Sequence, residues 1–156
     1  MLKLGSKYVN PDNVAVVFED SIIKSTIDDS TSGRSISKTS IPVTKLILYN
    51  KETLMLEDVS AEIAIREFSS YLPYAFVHIG DRFVNPKYIT SVEDITINRT
   101  IVDNDEIKPG ESVVVSGHQT FTVVDIYGVE YMRVDGTDAA QINQAIESAM
   151  SGAVKK

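Results

Sequence analysis

The chain has no cysteine. That excludes disulfides, thiol nucleophiles and every cysteine-based zinc site, and it fits a reducing compartment. The start, Met1-Leu2-Lys3-Leu4-Gly5, lacks an apolar signal-peptide core. No run approaches the roughly 18 apolar residues of a membrane span. The expectation is a soluble, cytoplasmic protein with no membrane partner. A basic excess is missing too. Lys and Arg number 15 against 22 Asp and Glu, net -7. Up to Ala75 there are 8 basic and 10 acidic residues, and beyond it 7 and 12, so neither half matches a general nucleic-acid binder. No Gly-rich phosphate loop, no Gly-x-Ser-x-Gly elbow and no Ser/His/Asp set is legible. No reaction class is indicated. A non-enzymatic protein without cofactor or metal is expected.

What the chain does have is a repeat. Shifting the numbering by 75 lays Leu4 to Val17 over Ile79 to Val92. Five of these 14 pairs are identical: Gly5/Gly80, Val9/Val84, Asn10/Asn85, Pro11/Pro86 and Val17/Val92. Leu4/Ile79, Lys7/Arg82, Tyr8/Phe83 and Val14/Ile89 are conservative. A repeat bears on the whole architecture and is read before any single element. It predicts two similar modules, residues 1–74 and 75–151, with a tail at 152–156. Hydrophobic residues make up 43%, enough for packed cores. A unit of about 75 residues is marginal alone. The halves are therefore expected to pack on each other or on another chain, and a homo-oligomer is expected.

Each module opens with short strands around Gly5-Ser6 or Gly80-Asp81. An Asn-Pro turn follows, because proline presets φ and asparagine bonds its own backbone. Asn10, Pro11, Asn85 and Pro86 are thus expected to be structural turn residues. Val14 to Phe18 is an apolar, β-branched strand. Glu19-Asp20 breaks it and Ser21 to Ile27 resumes. Asp28 to Thr39 has no apolar period and reads as an exposed loop or the flexible tip of a long hairpin. It is expected to be mobile and to contact a partner. Ile41 to Tyr49 and Thr53 to Glu57 follow as strands. Ser60 caps a helix to about Tyr71, with Ala61, Ile65, Phe68 and Leu72 on one face and Pro73 ending it.

The second module repeats the plan with strands Ile89 to Glu93 and Ile95 to Val102. An acidic turn then carries Pro109-Gly110. Ser112 to Ser116 and Phe121 to Ile126 are separated at Gly117-His118, and Glu130 to Val134 follows. Thr137 or Asp138 caps a last helix to about Met150. The fold class is α+β, mainly antiparallel β, two similar modules each a β-meander closed by one helix.

Few residues stand out chemically. His78 and His118 lack metal-ligand spacing. Asp135-Gly-Thr-Asp138 reads as a turn and helix cap, not a calcium loop. Asp103, Asp105, Glu106 and Glu111 read as a solvated acidic tip. Neighbours on a strand face opposite ways, so Tyr8 and Phe83 are expected as core anchors with Lys7 and Arg82 outward. Lys7, Arg34, Lys38, Arg82 and Arg99 are the candidate partner-binding residues.

Tyr8-Val9-Asn10-Pro11-Asp12, then Val14 to Phe18, Leu46 to Asn50 and Leu54 to Phe68, resemble small FlbD/SwrD-type flagellar proteins. Those have an asparagine-proline turn, an apolar strand, a strand–turn–strand unit and a short helix. In the second module the likeness covers Phe83 to Val92. The insertion of Asp28 to Thr39 and the duplication depart from that pattern. LytTR DNA-binding domains also place Val-Asn before an apolar strand, but the acidic balance here opposes carrying DNA binding over. Acidic, cysteine-free tandem modules of this size are also similar to small phage-encoded proteins. The expected function is a protein-interaction module acting as an oligomeric adaptor, scaffold or inhibitor through strand edges and long hairpins. The alternatives are a nucleic-acid-binding regulator and a small-ligand binder with a site between the modules.

Overall fold

Turn chemistry punctuates the chain into two runs of elements in one order. In the first run, β1 (Leu2–Leu4) and β2 (Lys7–Val9) form a hairpin. A 3-10 turn (Pro11–Asn13) leads into β3 (Val14–Ser30), β4 (Gly33–Leu48), β5 (Thr53–Leu56) and α1 (Ala61–Tyr71). The second run is β6 (Val77–Ile79), β7 (Arg82–Val84), a 3-10 turn (Pro86–Tyr88), β8 (Ile89–Asp103), β9 (Val113–Ile126), β10 (Glu130–Val134) and α2 (Ala139–Ser151). This computed structural model describes residues 1–30, 33–103 and 113–151, with side chains outside 30, 98–103 and 113–118. The class is α+β with antiparallel sheets.

The two runs agree in detail. β3 carries a register irregularity between Val14 and Val16, and β8 carries one between Ile89 and Ser91. Tyr49 N donates to Asn13 O at 2.9 Å, and Tyr127 N donates to Tyr88 O at 2.9 Å. Thr44 Oγ1 donates to Val59 O at 2.6 Å, and Thr122 Oγ1 lies 2.8 Å from Asp94 Oδ1 and 3.1 Å from Thr137 O, sharing its one hydrogen between them. Both threonines are buried, so each hydroxyl ties the approach to a helix onto its sheet.

Pairing across the sheets departs from a simple meander in each half. β3-β4-β5 and β8-β9-β10 are meanders, but the leading hairpins do not continue them. β1-β2 stands as a two-stranded sheet, whereas β7 pairs with β3 of the first half. The resulting sheet runs β5-β4-β3-β7-β6. A 3-10 turn separates each hairpin from the strand that follows it, and neither β2 nor β7 pairs with that strand.

One core gathers Val14, Val17, Leu46, Leu56, Phe68 and Phe76. The other gathers Ala15, Val16, Val77, Val84, Val124 and Ile126. β3 therefore feeds both cores: the irregularity between Val14 and Val16 interrupts simple alternation, so Val14 and Val17 join one core and Ala15 and Val16 the other. α1 is capped by Ser60, whose Oγ accepts from Ile63 N at 3.2 Å. It buries Ala61, Ala64 and Phe68, and Leu72 just beyond its end is buried too, while Ile65 lies at the margin.

Two expected interruptions are absent. Glu19-Asp20 does not break β3, and Gly117-His118 does not split β9. The segment read as an exposed loop or the flexible tip of a long hairpin, Asp28 to Thr39, is the end of a long hairpin and not a loop: pairing runs without a gap from Ile22↔Ile41 to Ser30↔Gly33. Cross-strand partners supply what periodicity lacks, Ile27 opposing Ile36 and Arg34 Nε lying 3.0 Å from Asp29 Oδ1. Of the acidic tip, residues 105, 106 and 111 lie outside the described residues, as do the Pro109-Gly110 turn and the tail.

Candidate interaction surface

The five candidate cations sit on four different strands. Lys7 is exposed on β2, and its Nζ donates to Met55 O at 2.8 Å. Arg34 and Lys38 are exposed on β4, away from the cores. Arg82 on β7 is half-buried. Its Nε lies 2.9 Å from Glu130 Oε1 and its guanidinium lies 4.0 Å over the Phe18 ring. Its charge is thus already engaged. Arg99 lies on β8 opposite Gly117, and its side chain is outside the described set. His118 is likewise outside it, and His78 stacks on Phe83 at 4.5 Å. Among the described residues no group of three His, Asp or Glu side chains is placed to hold a metal ion.

The paired anchors part company. Phe83 is partly buried against the first core, but Tyr8 is 65% exposed. The expectation that Tyr8 anchors a core is wrong. Phe83 sits on a strand that joins β3, and Tyr8 sits on a strand with one free edge.

The paired asparagines part in the same way. Asn10 Oδ1 accepts from Asp12 N at 3.2 Å, and Asn85 Oδ1 from Lys87 N at 3.1 Å. Asn85 does more: its Nδ2 donates to Val14 O at 2.9 Å and its backbone N to Ala15 O at 2.8 Å. It is fully buried, and Asn10 is half-buried. Asn85 therefore locks the second half onto β3. Nearby, Tyr88 stacks on Tyr49 at 6.3 Å and donates its hydroxyl to Asp12 O.

Burial pushes the Tyr74 and Tyr88 phenols above their usual value of 10.0, and the Lys87 charge opposes this at Tyr88. The unfolded chain loses those protons first as pH rises. The stability they carry is complete below about pH 10 and is lost as pH climbs through the raised values. Thermal melts should show a transition temperature that falls as pH rises above about 10, with a shallower fall in Tyr74→Phe. Identical pH slopes for parent and variant would overturn this.

Two paired ribbons extend beyond the cores. On the β3-β4 ribbon, Ile23, Ile27 and Ile36 occupy one face and are exposed by 72%, 58% and 61%. At its base Lys45 Nζ bonds Asp20 Oδ2 at 2.8 Å and, with the Ser21 N–H, holds that carboxyl below its usual range. On the β8-β9 ribbon, Ile95 and Ile97 share a face with Phe121. A groove of about 540 Å³ between the halves is lined by Glu19, Ala61, Glu62, His78, Asp81 and Phe83. It is open and acidic, with a single imidazole. No sequence signal marked the exposed isoleucines, since the same residues in alternation also describe a half-buried strand.

Comparison with family models, with curated proteins and with solved structures returns no match. Among the described residues no helix is long and apolar enough to cross a membrane.

Proposed function

We infer that this chain is a non-enzymatic interaction module that acts as a self-associating scaffold or adaptor. The observation that carries this reading is the exposed apolar face of the β3-β4 ribbon, Ile23, Ile27 and Ile36. A two-stranded ribbon is unsupported on its faces unless something packs there. Isoleucines gathered on such a face suit contact with another protein surface. Arg34 and Lys38 on the same ribbon supply polar specificity at its margin. The free edges of β2 and β8 offer backbone hydrogen bonds to an added strand.

Nucleic-acid binding gains no support from the five cations, which are spread over four strands with Arg82 paired to Glu130. The open acidic groove between the halves supplies no enclosed, mainly apolar site for a small ligand.

Light scattering over a concentration series should return masses above the 17.2 kDa of one chain. A single mass of 17.2 kDa throughout would set this reading aside. A DNA mobility shift at low salt that collapses as salt rises would put the nucleic-acid reading in its place.

A further inference from the structure

Within the chain, β7 fills the edge of β3. Val16 opposes Val84 and Val17 opposes Phe83, with Asn85 bonded to Val14 and Ala15. Val14, Ala15, Val16 and Val17 are all 0% exposed as a result. Moving each residue of this joint by the 75-residue repeat gives a second joint, between Ile89–Val92 and Lys7–Asn10. That second joint is open. Among the described residues, β8 is the edge strand of its three-stranded sheet and β2 has only β1 beside it. Thr90 and Ser91 are exposed, and Ile89 and Val92 are half-buried. A groove of about 430 Å³ runs between Ile89–Val92 and the α2 residues Ala139, Ala140, Asn143 and Ile146. Tyr8, in the place of Phe83, stands in solvent. Elsewhere in the repeat the matched residues Thr44 and Thr122 are both buried.

We propose that β2 of one copy of this chain adds to the free edge of β8 in the next copy. Val9 then opposes Ser91, Tyr8 opposes Val92, and the Tyr8 ring enters the groove beside α2. The three-stranded and two-stranded sheets become one five-stranded sheet, β10-β9-β8-β2-β1, matching the order β5-β4-β3-β7-β6 already present. Asn10 takes up across copies the role that Asn85 has within the chain. The occupant is a second copy because the covalent chain already contains one such joint and leaves over one half of each kind. Charge agrees at two points. Arg82 lies over Phe18, and the residue matched to Phe18 is Glu93, so Lys7 meets a carboxylate. Lys87 lies 3.6 Å from Asp12, and the same shift sets Lys87 against Asp12 of the next copy. The two surfaces differ, so the contact is heterologous and copies join head to tail, into a ring or a filament.

This rests on the self-association reading and assigns self-association to the edges of β2 and β8, which leaves the ribbon face of Ile23, Ile27 and Ile36 for a different protein. The absence of cysteine makes a direct test available. Residues opposed across antiparallel strands have Cα atoms about 4.5–5.5 Å apart, within disulfide range. Tyr8→Cys and Val92→Cys copies, mixed and mildly oxidised, should give a mixed disulfide dimer, and neither copy alone should cross-link. Tyr8→Asp, at an exposed position, should match the parental melting curve at concentrations where the parent is monomeric and lose all mass above 17.2 kDa. If the parent scatters as a multimer but no mixed dimer forms, or Tyr8→Cys links to itself, or Tyr8→Asp still assembles, the contact lies elsewhere. The inference then falls and the association reading stands. If the parent shows only 17.2 kDa at every concentration, both fall.

Discussion

Asn85→Ala should destabilise the protein by roughly 2–3 kcal/mol, while Asn10→Ala should cost about 1 kcal/mol or less in the monomer. The two residues stand in the same Val-Asn-Pro motif and close the same 3-10 turn. The difference lies in what each does besides. Asn85 is fully buried, and its amide holds Val14 O at 2.9 Å across the two halves. Alanine there removes that bond, leaves the buried Val14 carbonyl unpaired at a desolvation cost, and frees the part-buried Lys87 N–H. Asn10 is half-buried, so water replaces much of what is lost. For a chain of this length the expected drops in melting temperature are about 5–10 °C for Asn85→Ala and about 2–4 °C for Asn10→Ala. Equal drops would mean that both asparagines act only as turn residues and that Asn85 does not lock the halves.

Phe68→Ala should cost about 3–5 kcal/mol, the range for removing a fully buried aromatic ring. Phe68 is the largest of the fully buried side chains. It lies on the buried face of α1 and meets Phe76 with ring centroids 5.5 Å apart. Phe76 directly precedes β6, so this contact holds the helix of the first half against the entry to the second. The loss should therefore appear as one cooperative shift in chemical denaturation, with both halves unfolding together. A loss below about 1 kcal/mol would show that the site collapses onto the missing ring or that α1 contributes little. Two separated transitions would show that the halves are independently stable.

Much of this architecture is written in local chemistry. Ser60 and Pro73 bracket α1 because a hydroxyl can satisfy an orphan N–H and proline disfavours helix in the residue before it. Asn-Pro appears as a 3-10 turn at both places for the same local reason. The α+β class follows from period-two runs ending in period-3.6 runs. What local chemistry could not supply is the fate of polar strands. Asp28 to Thr39 carries no hydrophobic period, yet Asp28–Ser30 and Gly33–Thr39 pair as strands, because register propagates outward from Val16↔Ile47 at the base. Cross-strand contacts such as Ile27 against Ile36 exist only once that register is set.

The sequence by itself determined the repeat, the two Asn-Pro turns, the two helices and the absence of thiol chemistry, because each depends on residue identity or on residues close together in the chain. Only the tertiary structure decided which edge each hairpin covers. Lys7-Tyr-Val-Asn-Pro and Arg82-Phe-Val-Asn-Pro read alike, but β7 is joined to β3 and β2 is left open. A strand edge is satisfied by whatever backbone lies beside it, and that neighbour is chosen by packing between distant segments rather than by the residues of the strand. Tyr8 in solvent and Phe83 against a core are therefore the same local motif in two different surroundings.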